Sequence, residues 1–154
     1  MKFKILICVF LLTFCSSACK QNSDITKQDS LKSDTLRFEQ DYSSTNIQTA
    51  ERALLTYISS IENQQHSGNK RYNYNFLFGL ANARLADLYT YAGKTDLADN
   101  RYCAATKYIY LSAVSNKEEP KLYSKEELHM IVLHADSELR PGWRTSDIKD
   151  ETLK

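Results

Sequence analysis

The stretch from Leu80 to Ala105 constrains this chain more than any other. Alanine, leucine and tyrosine recur there every three or four residues, the period of a helix face, on both sides of Gly93. Leu77, Leu80, Ala81, Arg84, Leu85, Leu88 and Tyr89 form one stripe, interrupted by Arg84. Leu97, Ala98, Tyr102, Ala105 and Ile109 form a second inward face. A glycine between two such stripes can take the left-handed backbone that stops one helix before the next begins. The stretch predicts two antiparallel helices in contact.

The same reasoning extends outward. Thr45 and Gln48 have the spacing of a capping box, which satisfies free amides at a helix start. Ala50, Ala53, Leu54, Tyr57, Ile58 and Ile61 then share a face of a helix over 46–64, and Gly68 stops it. The hairpin helices span 71–92 and, from Thr95 or Asp96, 95–115. Ser124 and Glu127 make a second capping-box pair and open a helix to Leu139, before Arg140-Pro141-Gly142. No segment alternates as a strand would. The expected fold class is all-α, with four antiparallel helices.

Leu85, Ala86, Tyr89, Gly93, Ala98, Tyr102 and Ala105, taken at their mutual offsets, resemble a tetratricopeptide repeat, a two-helix unit of about 34 residues. The resemblance implies that Ala86 and Ala98 are small because the helices cross closely, while Tyr89 and Tyr102 fill wedges beside the pair. Asn82 departs from it, standing where an aromatic residue is usual, and so does Tyr110, standing where a proline usually ends the second helix. A lone unit cannot bury both its faces. The helices over 46–64 and 124–139 are then degenerate flanking partners, or a second chain covers the hairpin. The family's groove positions fall on Leu80, Ala83, Asp87, Thr90 and Tyr91. The competing reading is that this face packs on the helix over 46–64.

The amino terminus sets an address. Lys2 and Lys4 precede an apolar run from Ile5 to Phe14, broken only by Thr13 and closed by Cys15, Ser16, Ser17, Ala18 and Cys19. A basic start, a short apolar middle and small residues at the end make a secretory signal over 1–18, and the run is too short to span about 30 Å of hydrocarbon. Its end is similar to a bacterial lipoprotein signal, in which the cysteine after the cut receives a diacylglyceryl group. Cys19 would be that residue, although Ser16 stands where leucine is usual; Cys15 follows bulky Phe14 and fits less well. Ordinary cleavage after Ala18 cuts the same bond and leaves Cys19 unmodified. Residues 19–44 are rich in Ser, Thr, Asp, Lys and Gln, and are expected to form a flexible tether, with at most a short, marginal helix around Leu31 to Gln40, before a helical domain over 45–143 and a polar tail over 144–154.

Charge and cysteines remove several classes of function. The 154 residues carry a formal charge of +1, and loss of Lys2 and Lys4 makes the mature chain slightly acidic, with no basic patch for a polynucleotide. Of the four cysteines, removal of Cys8 and Cys15 and modification of Cys19 leave Cys103 alone, so no disulfide framework forms. Cys103 is expected to be a small buried helix residue. His129 and His134 lie about 140° apart around one helix, which suits no zinc site. Glu126, Glu127, Asp136 and Glu138 are expected on a solvated face, and no nucleophile or phosphate-binding loop is recognisable. Neither a metal, a cofactor nor an enzyme activity is expected.

Tyrosines are abundant, and Tyr108, Tyr110 and Tyr123 have less evident packing roles than Tyr89 and Tyr102. Trp143 is expected to fold over the last helix. Together these features describe a lipoprotein anchored in a bilayer through Cys19 and facing the periplasm. Its helical domain would bind another protein, or itself, as an interaction scaffold. The alternative is an inhibitor or immunity-type lipoprotein that neutralises an envelope-acting toxin or hydrolase.

Overall fold

The computed structural model describes residues 32–68, 70 and 72–144. The signal, Cys19, most of the tether and the tail beyond Arg144 lie outside the described residues. Contacts divide the chain after Ser33, and the architecture below is that of the residues from Asp34 onward. Residues 32–42 are helical (α1), followed by α2 (Ile47–His66), α3 (Tyr74–Tyr91), α4 (Thr95–Asn116), α5 (Lys125–Ala135) and a short 3-10 turn, Gly142–Arg144. Among the described residues there is no strand, and no helix is long and apolar enough to cross a membrane.

The punctuation follows local chemistry. Gly68 and Gly93 have φ of +75° and +70°, the left-handed backbone that ends a helix without a Cβ clash. Ser124 Oγ accepts from the Glu127 amide while the Glu127 carboxylate accepts from the Ser124 amide, a closed capping box. At α2 the cap is Asn46, whose side chain accepts from the Thr49 amide at 3.0 Å, rather than the expected Thr45 and Gln48. An Asx side chain reaches the third residue of a helix readily and so competes well for that position.

Helix α3 is the centre of the fold. It packs against α2, α4 and α5, and every residue from Ala81 to Leu88 is buried, so no face remains for solvent. Its contacts with α4 run in opposite order along the two helices. Asn73 bonds to Ser112 and Asn116, Gly79 lies against Ile109, Asn82 accepts from Arg101, and Asp87 accepts from Tyr102. A Cβ on Gly79 would stand 2.5 Å from Ile109 Cγ1 and 3.1 Å from its backbone nitrogen, so glycine sets how closely these helices approach. Ala86, Ala98 and Ala105 are all buried at the same pair. Asn82 is held by its own helix, donating to the Phe78 carbonyl at 2.8 Å.

Several expectations are revised. The packed domain begins before residue 45: Phe38 and Tyr42 of α1 are buried, and the Phe38 ring stacks on Tyr42 and on Tyr57 of α2. So short a helix is marginal in isolation and draws its stability from packing, which local composition does not reveal. The described structure therefore has five α-helices instead of four. Helix α5 ends at Ala135, short of Leu139. Leu97 is 47% exposed, because the inward face of α4 follows Ala98, Tyr102, Ala105 and Ile109. Cys103, next to Tyr102, is turned outward and exposed. Trp143 is buried, with its ring against Tyr42 and Tyr91. The domain accordingly runs through Arg144, also buried.

Candidate functional site

Arg84 breaks the apolar stripe of α3, and its burial obliges it to find a counter-charge. That partner is Asp136, just past α5. Nε and Nη2 of Arg84 lie 2.8 and 2.6 Å from Asp136 Oδ1, and the guanidinium sits over the rings of Phe38 and Tyr42. The other oxygen of Asp136 accepts from the Tyr42 hydroxyl at 2.7 Å. Asp136 is thus a buried structural anion rather than part of a solvated face; the exposed Glu126 and Glu138 do match that expectation.

One turn further along α3, Asp87 is buried in the same way and has three donors. Tyr102 Oη of α4 donates to Oδ1 at 2.9 Å, His129 Nδ1 of α5 lies 2.9 Å from Oδ2, and Arg144 Nη2 meets Oδ2 as an ion pair. Arg144 also stands 3.7 Å from Asp136, so it bridges the two buried carboxylates. Burial, followed by the charge of Asp87, pushes the Tyr102 hydroxyl up to about 12. Burial and then Asp136 hold Tyr42 well above the ordinary phenol range. Both phenols remain neutral donors to carboxylates.

Above Asp87 lies a cleft of about 640 Å³ walled by the end of α3, the start of α4, one face of α5 and the 3-10 turn. Leu128 and Val132 of α5 are buried in the core, and Lys125, Glu126, His129 and Met130 beside them line the cleft. The N-terminal geometry of α5 holds the exposed Glu126 carboxyl below its usual range, chiefly through a backbone amide and then the Ser124 hydroxyl. Lys125 pairs with Asp99 of α4 at 2.5 Å and lies over the Tyr102 ring. A second cavity of about 650 Å³ at the other end of the α3–α4 pair has only Lys70 as a charged lining residue among the described ones.

Of the groove positions expected on α3, Asp87, Thr90 and Tyr91 line the cleft; Leu80 and Ala83 face the core instead. The Thr90 hydroxyl donates to the Ala86 carbonyl at 2.9 Å, and Tyr91 is 40% exposed beside Trp143. No protein-family model, curated protein or solved structure matches the chain. His129, Tyr102, Asp99, Glu126, Met130 and Arg144 were not expected in a shared site. The one signal available was Arg84 itself, a charge on an apolar stripe, which announces buried ionic chemistry without naming the partner. His129 and His134 do not converge, and among the described residues no group of three metal-ligating side chains forms.

Proposed function

We propose that this chain is a membrane-anchored, periplasm-facing lipoprotein whose tetratricopeptide-like helical domain docks a segment of another protein in the α3–α4–α5 cleft. The observation that carries this reading is the contrast between floor and wall. The floor is tied to a cross-linked set of buried ions, Arg84 and Asp87 of α3 with Asp136 and Arg144, whereas the wall leaves Met130 62% and Tyr91 40% exposed. Thioether and phenol surfaces of this kind gain most when a partner covers them. The cleft hydroxyls of Tyr102 and Thr90 are already committed to Asp87 and to backbone, which favours binding over nucleophilic chemistry. An anchor at Cys19 would raise the local concentration of domain and partner on one membrane surface.

Site-resolved photocrosslinking in intact cells tests the proposal. A crosslinking residue at Met130 is expected to yield a discrete adduct that Tyr91→Ala abolishes, while the same group at exposed Lys107 yields none. Identical products from both positions, or none from Met130, would overturn cleft docking. Intact mass of the membrane-purified chain checks the anchor: a diacylglyceryl increment at Cys19 supports it, and an unmodified Cys19 refutes it.

A further inference from the structure

Several donors of the cleft are engaged within the protein, while Glu126 offers an exposed carboxylate. Tyr102 and Arg144 donate to Asp87, Lys125 to Asp99 and Thr90 to a backbone carbonyl. Nη1 of Arg144 and Nε1 of Trp143 are closed off from solvent, so an occupant cannot reach them. A carboxylate only accepts, so His129 Nδ1 turns its N–H to Asp87. Glu126 is one turn from both His129 and Met130 and fully exposed, and the Asp99 side chain is 53% exposed despite its pairing. Among the described lining residues, Arg144 pairs with Asp87 and Lys125 with Asp99, which leaves Glu126 outside both ion pairs.

We propose that the docked segment presents a cationic donor, a lysine ammonium or an arginine guanidinium, to Glu126, with its aliphatic stem against Tyr91 and Met130. Both groups donate and cannot accept, and both carry apolar stems suited to that wall. A carboxylate or phosphate in the same place would set an anion against the Glu126 carboxylate. This inference rests on the docking reading and adds the chemistry of the partner.

The test uses the full membrane-purified chain and fluorescent peptides in which leucine alternates with lysine, glutamine or glutamate. The lysine peptide is expected to bind about tenfold more tightly than the glutamate peptide, with the gap shrinking as salt screens the charges. Glu126→Gln should weaken lysine-peptide binding about threefold or more, on the scale of an exposed ion pair. Tyr91→Ala with Met130→Ala should abolish it. Glutamine or glutamate peptides that bind as tightly, in a manner lost in the Tyr91/Met130 variant, would overturn the cationic preference and leave docking standing. Absence of binding by all three would overturn both.

Discussion

Arg84 and Asp136 stand 52 residues apart in the sequence and form a buried ion pair at 2.6 Å. The pair ties the central helix to the segment after α5, and through Arg144 it is continuous with Asp87 in the cleft floor. Removing one member leaves the other uncompensated in the interior, so Asp136→Ala is expected to lose about 3–5 kcal/mol in urea unfolding. The double replacement Arg84→Met with Asp136→Leu should cost less than either single change. A midpoint for Asp136→Ala equal to wild type would show that the pair is not buried in solution.

Phe38 tests whether α1 belongs to the domain. Its ring stacks on Tyr57 at 4.5 Å between centroids and on Tyr42 at 5.2 Å, and it lies beneath Arg84. Phe38→Ala should therefore destabilise by about 3–5 kcal/mol, the usual loss for an aromatic core residue. Leu36→Ala, at a position 58% exposed, should be near neutral. Equal small effects in thermal melts would return this segment to the status of a tether.

At Gly79 the expected fault is overpacking. The new methyl of Gly79→Ala would meet Ile109 Cγ1 and backbone, so a loss of about 1–3 kcal/mol is expected despite the better helix propensity of alanine. Adding Ile109→Ala should cost less than the sum of the two single effects, the signature of residues in contact. Strict additivity in denaturant titrations would place the helices farther apart than described.

Alkaline pH should unfold the protein through its buried phenols. Tyr102 has its folded-state value raised to about 12 and Tyr42 is also raised, so the folded chain keeps protons that the unfolded chain releases. Their stabilising effect is complete below the ordinary phenol range near pH 10 and is lost as pH climbs through the raised values. Tyr102→Phe should flatten the fall in stability in that window. Phenolate absorbance should show a late-titrating group in wild type that is missing from the variant.

Cys103 offers a check on the rotation of α4. Being exposed, it should react with a maleimide in the native protein at nearly the rate seen in denaturant, as judged by mass. Protection in the native state would mean that the helix is turned toward the buried face first expected for it.

Helix existence was largely legible because capping and periodicity are local. Gly68, Gly93 and the Ser124–Glu127 box mark the helix ends they were expected to mark, and the inward set of α2 follows its stripe, whereas α3 is buried all round from Ala81 to Leu88. The alanines at the α3–α4 pair are buried as spacing implied. Ala98, Tyr102, Ala105 and Ile109 of α4 are also inward as expected, and Leu97 and Cys103 beside them were misplaced because the sides of α4 differ little in apolar character. The cleft was half legible. Asp87, Thr90 and Tyr91 came from the positions of one helix, but the α4, α5 and 3-10 residues opposite them arrive only when distant elements pack.

What the amino-acid order determines by itself is the set of rods and breaks, since amide capping, glycine backbone freedom and apolar period act within a few residues. Tertiary structure alone decides that α1 joins the core, that Arg84 finds Asp136, and that Asp87 collects Tyr102, His129 and Arg144. The reason is that a buried charge requires neutralisation without specifying its source. Only the packed geometry selects which of many carboxylates and cations lies within hydrogen-bonding reach.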